Sequence, residues 1–292
     1  MTFNIVHQTT YDYTAPVAVS HHVARLEPRE TPCQRRERFS LKIFPEPAIR
    51  RERHDYFGNP LCVFSIQEEH ERLQVLTHSR VTVSRAEGGA PEPSLEWESA
   101  AAMFRDPVAQ EVVGPYQFVF DSPQIRTSPD FADYARQSFR PGTPLLAAAR
   151  DLTARLFKDF RYDPKATTVA TPPEQVWRER RGVCQDFAHL AIACVRSMGL
   201  AARYVSGYLR TVPAPGAARM VGADASHAWF SIYCHGIGWV DFDPTNNLQP
   251  AEEHITVAIG RDFGDVSPVA GILTGGGEHQ VKVSVDVSEA AE

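Results

Sequence analysis

Apolar and polar residues alternate in short runs over the first 85 or so positions. "FNIVHQTTYDY", "RFSLKIFPEP", "CVFSIQE" and "LQVLTHSRVTVS" are rich in β-branched and aromatic residues, with Pro, Gly and Asn between them. That composition and the partial two-residue period predict strands. Several short strands in series predict an antiparallel β-sandwich over residues 1–90. Inside it, "DYFGNP" (Asp55–Pro60) reads as a turn, because Gly58 and Asn59 tolerate positive φ and Pro60 ends the bend. Two arginine clusters, "RRERF" at 35 and "RRERH" at 50, read as solvated strand ends. "SRAEGGAPEPSLEW" (84–97) is small, polar and rich in Pro and Gly, the composition of a linker.

Beyond the linker the apolar spacing lengthens to three and four. "PDFADYARQSF", "TPLLAAARDLTARLFKDFRYD" and "PPEQVWRERR" predict helices, with Thr143 or Pro144 starting the second. A further helix follows Gly182, where Val183, Phe187, Leu190, Ala191, Cys194 and Met198 fall on one stripe. From Ala201 onward alternation returns in "ARYVSGYLR", "HAWFSIYC", "GWVDFD", "HITVAIG" and "HQVKVSVDV". Residues 91–292 therefore read as one α+β unit, with a helical segment at 125–200 packed on an antiparallel sheet.

Chemistry concentrates at three places in this second unit. Cys194 sits on the apolar stripe, and burial as a small hydrophobe accounts for it. Cys184 stands instead at the first helical turn, where free N–H groups and the helix dipole favour a thiolate. Position alone leaves open whether it packs or reacts. A reacting thiolate needs a base, and His189 is poorly placed, since five helical residues turn its side chain about 140° away. His227 opens a strand and gives an imidazole a rigid mount. Asp241 and Asp243 end the next strand. If Tyr233 lies opposite Trp239, His227 and Asp243 share a face within side-chain reach, which makes Asp243 the better orienter. Gly236 and Gly238 can supply the turn that this register needs. Trp229 beside His227 either walls a cleft or packs. Tyr204, Ser206 and Tyr208 alternate along one strand, and the same face can line a substrate groove.

Composition narrows the function. The 292-residue chain carries a net charge of −6, without the basic footprint of nucleic-acid binding. No apolar run approaches the roughly 20 residues that span a bilayer. The first residues lack the pattern of a secretory leader, so a cytoplasmic location is expected. Five cysteines, at 33, 62, 184, 194 and 234, are odd in number and scattered, which argues against a disulfide framework. No CxxC pair, HExxH motif or tight Cys/His cluster points to a metal, and no cofactor is expected.

Taken together, "GVCQDFAHLAIACVRSMGLAARYVSGYL", "SHAWFSIY" and "GWVDFDPTNN" resemble the transglutaminase-like superfamily of papain-like cysteine enzymes. "HQTTYDYTAPVAVSHHVARLEPR" with "DYFGN" is similar to the β-sandwich that precedes the core in bacterial members, described as candidate cysteine proteases. "ITVAIGRDFGDVSPVAGILTGGGEHQVKVSV" extends the likeness to the tail. The resemblance implies a papain-like core in which Cys184 attacks a carbonyl, His227 handles the proton and Asp243 fixes the imidazole. It implies an acyl thioester resolved by water or an amine, and a peptide or protein substrate. The Cys184 N–H is the expected oxyanion donor, with Gln185 as a possible second, and Trp229, Tyr204 and Ser206 as substrate-side candidates. Asp262 and Asp265 match the bacterial pattern in turn or substrate-contact roles. The "CQD" here replaces the "CW" of eukaryotic transglutaminases, and no acidic calcium loop is evident, which argues against calcium-dependent cross-linking. Hydrolysis is the expected outcome, with glutamine transfer or deamidation, or an inert binding scaffold, as the alternatives.

Overall fold

The computed structural model describes residues 1–84, 94–105, 110–210 and 226–290; most of the predicted linker, at 85–93, lies outside them. The N-terminal strands are β1 (Thr2–Ala24), β2 (Gln34–Phe44), β3 (Ile49–His54), β4 (Pro60–Ile66) and β5 (His70–Val83). β1 is the spine. Its residues 2–12 pair with β5, and after an irregularity before Val17 its far end pairs with β4. The sheet, in the order β2-β5-β1-β4-β3, curls over an apolar interior built from Tyr13, Val17, Leu41, Ile43, Phe64 and Leu73. A curled sheet closing on its own core is the sandwich that the alternation predicts. The arginine clusters lie at its exposed strands, with Arg35 paired to Glu37 and Arg50 to Glu52.

Helices begin earlier than the predicted 125–200 segment, with α1 (Trp97–Arg105) and α2 (Gln110–Tyr116). Then come α3 (Pro129–Arg136), capped by Ser128, and α4 (Leu145–Asp159). The predicted helical run through Asp163 stops short: Phe160 is extended, and β6 (Arg161–Tyr162) pairs in parallel with β7 (Arg181–Gly182) across α5 (Pro173–Glu179). Apolar spacing continued past the helix end, while the chain left the helix to make that pairing.

α6 (Cys184–Ser197) is the central helix, and its residues 185–196 are all buried. The single apolar stripe of the sequence reading therefore understates its burial. Arg196 shows why a polar residue is tolerated there: its guanidinium donates to the carbonyls of Phe118, Ala202 and Arg261, at 3.0, 2.9 and 2.7 Å. Against α6 lies a sheet ordered β10-β9-β8-β11, formed by β8 (Ala202–Leu209), β9 (Ser226–Cys234), β10 (Gly238–Phe242) and β11 (His254–Gly260). The short α7 (Phe263–Val266) follows.

The tail departs from the expectation that 91–292 form one unit. β12 (Val269–Gly275) and β13 (His279–Glu289) leave the core and pair with the free edge of β1, so they complete the N-terminal sheet. Alternation marks a strand but does not name its neighbour; β1 had an unpaired edge to satisfy.

The two units share a core. Phe3, Ile5, Val81, Val83, Val285 and Val287 of the N-terminal sheet pack in one apolar cluster with α4, α6 and the second sheet. Side-chain amides finish the joint. Asn59 grips the Ile259 backbone at both ends, donating to its carbonyl at 2.7 Å and accepting from its N–H at 2.8 Å. Gln34 does the same to Thr256, at 2.7 and 2.8 Å. These amides act as a pseudo-strand along the outer edge of β11, which would otherwise present unpaired backbone groups.

Candidate active site

Gly182 and Asp186 set the start of α6. The Asp186 carboxylate folds back to accept from the Val183 N–H at 2.8 Å and from the Thr167 hydroxyl at 2.6 Å. It lies so close that a Cβ on Gly182 would meet it at 2.6 Å, which accounts for glycine there. With the helix end pinned, Cys184 occupies the first position, half-buried and unpaired with any other cysteine.

β9 brings His227 to the sulfur. β8 and β9 pair with Gly207 opposite His227, while β9 and β10 pair with Tyr233 opposite Trp239 and Ser231 opposite Asp241. This is the register the alternation predicts, and Gly236 and Gly238 take positive φ in the connection. Asp243 then falls one step diagonally from His227. Its Oδ2 accepts from His227 Nε2 at 2.7 Å, while Oδ1 accepts from the Thr245 and Asn246 backbone N–H groups at 2.9 and 3.2 Å. With Nε2 so engaged, Nδ1 is left for the side of Cys184, which interacts electrostatically with the ring and shares both neighbouring cavities with it.

Two further side chains, passed over in the sequence, converge on Asp243. His254 Nε2 lies 3.2 Å from the same Oδ2, and Asn246 donates its side-chain amide to it at 2.7 Å. Both were visible only as a strand-opening histidine and the end of "DPTN". Asp243 is completely buried, and these donors hold it well below the usual carboxylate range despite that burial. For His227, burial alone would lower the pKa; the hydrogen bond to Asp243 and the interaction with Cys184 outweigh it and raise it to about 10. The ligand atoms of His227, Asp243 and His254 lie within 4.8 Å of one another, but Asp243 Oδ2 is already engaged as hydrogen-bond acceptor of both rings and of the Asn246 amide.

Two cavities open on the Cys184–His227 pair. The larger, about 510 Å³, is bounded by Val183, Gln185, Tyr204 and Ser206 of the core and by β1 and β13 of the N-terminal sheet. The smaller, about 270 Å³, is bounded by Tyr162, Leu209, Ser226, Thr245 and Asn246. Tyr204 and Ser206 both border the larger cavity. Gln185 also lines it, with its amide donating to the Val169 carbonyl at 3.2 Å. Tyr208 instead hydrogen-bonds His7 at 2.9 Å.

Trp229 borders neither cavity, contrary to its selection as a substrate-side candidate. It is fully buried against Val205 and Ile259, and its ring crosses Gly207, where a Cβ would meet it at 2.4 Å. Its edge instead supports His254, at 5.3 Å between ring centroids. His189 is structural as expected: it accepts from the Phe263 N–H at 3.1 Å, and burial lowers its pKa to about 4. Asp262 caps α7 through Gly264 and holds the Gln124 N–H, both at 2.9 Å, and Asp265 pairs with Arg261. Their roles are those of the turn.

Residues 3–82 match the bacterial transglutaminase-like N-terminal region, and residues 132–244 match the transglutaminase-like superfamily. An uncharacterized protein of Mycobacterium tuberculosis is 39% identical over 293 residues, covering 98% of this chain and 92% of that protein. A protein-glutamine gamma-glutamyltransferase of Pseudomonas aeruginosa is 29% identical over 112 residues, covering 36% of this chain and 17% of that protein. The crystal structure of a candidate cysteine protease from Cytophaga hutchinsonii superposes with a TM-score of 0.75 at 21% identity, covering 99% of this chain and 90% of that one. At that identity the likeness speaks for the fold. The chain belongs to the transglutaminase-like superfamily, with the N-terminal region found in its bacterial members.

Proposed function

We propose that Cys184, His227 and Asp243 make this a cysteine-dependent acyl-transfer enzyme that hydrolyses a peptide or amide bond in a peptide or protein substrate. The observation that supports the reading is the position of His227, tied through Nε2 to a buried Asp243 at 2.7 Å and lining the same two cavities as Cys184 at the head of α6. Proton transfer from the thiol to the imidazole gives a thiolate beside an imidazolium. The thiolate adds to the amide carbonyl, and the oxyanion faces the Cys184 N–H at the helix start. The C–N bond then breaks, with the imidazolium proton passing to the departing amine and leaving a thioester. Water, deprotonated by the now neutral His227, adds to the thioester, and breaking the C–S bond restores the thiolate–imidazolium pair. Asp243 holds the ring in one tautomer throughout.

Water reaches such a thioester through the smaller cavity, whose lining includes Tyr162, Ser226 and Asn246. The same opening admits a small primary amine. Similarity to the Pseudomonas aeruginosa gamma-glutamyltransferase therefore favours transfer to an amine as the second reading. Incubating the protein with peptide amides and glutamine peptides, with and without a primary amine, separates the two by product mass. Backbone cleavage without amine incorporation supports hydrolysis. Amine adducts support transfer, and conversion of glutamine to glutamate without cleavage means a deamidase. Activity that survives Cys184→Ala overturns every one of these readings.

A further inference from the structure

We propose that the N-terminal sheet forms the acyl-donor subsite and that it selects an uncharged, apolar side chain next to the scissile amide. The inference rests on Cys184 being the nucleophile and goes beyond it by naming the substrate class and the residues that choose it.

The cavity of about 510 Å³ has the size of a ligand site, and no Asp, Glu, Lys or Arg borders it among the described residues. In a chain that is 23% charged, such a wall disfavours a charged side chain, which would lose its hydration and find no ionic partner there beyond the catalytic Cys184–His227 pair. One side is the first turn of α6 with Tyr204 and Phe263; the other is Tyr11 of β1 with Val281 and Val283 of β13. Apart from the catalytic His227, the one other histidine in this wall offers little polarity. His7 engages Tyr208 through Nδ1 and Thr9 through Nε2, both at 2.9 Å, so neither ring nitrogen is left over for a ligand. Burial also keeps that ring neutral.

Val281 and Val283 are 48% and 53% exposed, on a strand that pairs only with β1 among the described residues. Half-exposed valines facing a cavity beside a nucleophile gain burial when an apolar group fills it. The acyl portion takes this side because Val183, Cys184 and Gln185, at the oxyanion end of α6, border it. The smaller, more polar cavity is left for the departing amine and water. The pairing of β12 and β13 with β1 therefore places the C-terminal tail in the recognition wall.

Peptidyl chloromethyl ketones test this directly, since the thiolate displaces chloride to form a stable C–S bond at a rate that depends on how the peptide seats. Rates at Cys184 are followed by peptide mass spectrometry for reagents ending in leucine, glycine or aspartate, with iodoacetamide as a reference too small to reach the sheet. The leucyl reagent should react roughly tenfold or more faster than the glycyl one, and the aspartyl one slowest. The doubly substituted Val281→Asp, Val283→Asp protein should lose the leucyl-to-glycyl preference. Val281→Thr with Val283→Thr, closer in shape, should reduce it if the aspartate pair impairs folding. A leucyl-to-glycyl ratio near one in the unaltered protein, or a ratio unmoved in both variants, overturns the subsite. If iodoacetamide shows no preference for Cys184 over Cys194, the nucleophile assignment falls first and the subsite with it.

Discussion

His254 reaches, at 3.2 Å, the same oxygen of Asp243 that holds His227. One buried carboxylate oxygen thus anchors two imidazoles and the Asn246 amide. A carboxylate only accepts, so each of these nitrogens donates, and the set fixes the Asp243 rotamer from several sides.

Removing the carboxylate and removing one of its supports should therefore differ in degree. Asp243→Asn is expected to lower kcat/KM roughly 10³- to 10⁴-fold, because the amide no longer enforces the tautomer that leaves Nδ1 for sulfur. His254→Phe keeps a ring against Trp229 but loses the donor; a roughly tenfold to hundredfold fall in kcat with little change in KM is expected. His254→Gln, which can still donate, should recover part of the loss. Equal losses for His254→Phe and His254→Gln, with KM raised in both, would mean that His254 shapes the fold and not the Asp243 rotamer.

The raised pKa of His227 gives a pH signature. Its folded value, about 10, lies above the ordinary histidine value of 6.5. The associated stability is thus complete below about 6.5 and is lost as pH rises through 10. The imidazolium needed to protonate the departing amine disappears over the same range, so kcat/KM should fall with a midpoint near 10. In Asp243→Asn the limb should move toward neutral pH, since a hydrogen bond that raises the pKa is gone. Buried His7 and His189 act oppositely: their values are lowered to about 4, so the unfolded chain binds protons first as pH falls from 6.5 toward 4. Urea midpoints measured across both windows should decline on each side, and His189→Gln should flatten the acid side.

Asn59 offers a test of the joint between the units. Its two ends satisfy the carbonyl and the N–H of Ile259, and it is fully buried. Asn59→Leu leaves both backbone groups without partners, at about 1–3 kcal/mol for each. A fall in urea midpoint with unchanged slope is expected, with Asn59→Gln intermediate at best, because the longer amide no longer matches the edge of β11. A midpoint unchanged in Asn59→Leu would show that packing alone holds the units together.

What the sequence revealed was local. The β9–β10 register was legible because two alternating strands joined through Gly236 and Gly238 leave few pairings, and it delivered Asp243 to His227. Cys184 was legible as the residue that breaks the apolar stripe of α6 at its first turn. His254 was not: it arrives through β11 pairing with β8, at a distance of 11 residues from Asp243 along the chain. Asn59 read as a turn residue, which it is, since Gly58 takes positive φ beside it. Its grip on Ile259, 200 residues away, depends on docking that no local pattern encodes. The same limit applies to β13, whose alternation was plain while its partner β1 lay at the other end of the chain.

Gly207 is the position where fold and site meet most tightly. It pairs with His227 across β8 and β9, and any Cβ there would lie 2.2 Å from the Ile255 carbonyl and 2.4 Å from the Trp229 ring. Neither neighbour can yield cheaply: one is backbone in β11, and the other is a fully buried indole that supports His254. Gly207→Ala must push β8 from β11 or tilt Trp229, at a cost of about 1–3 kcal/mol or more. Either movement shifts His254 or His227 relative to Asp243. The variant should therefore lose activity by roughly 10²-fold while still folded, and its iodoacetamide rate at Cys184 should fall with it. A stable Gly207→Ala protein with unaltered kcat would mean that the His227–Asp243 pair tolerates displacement of the strands that carry it.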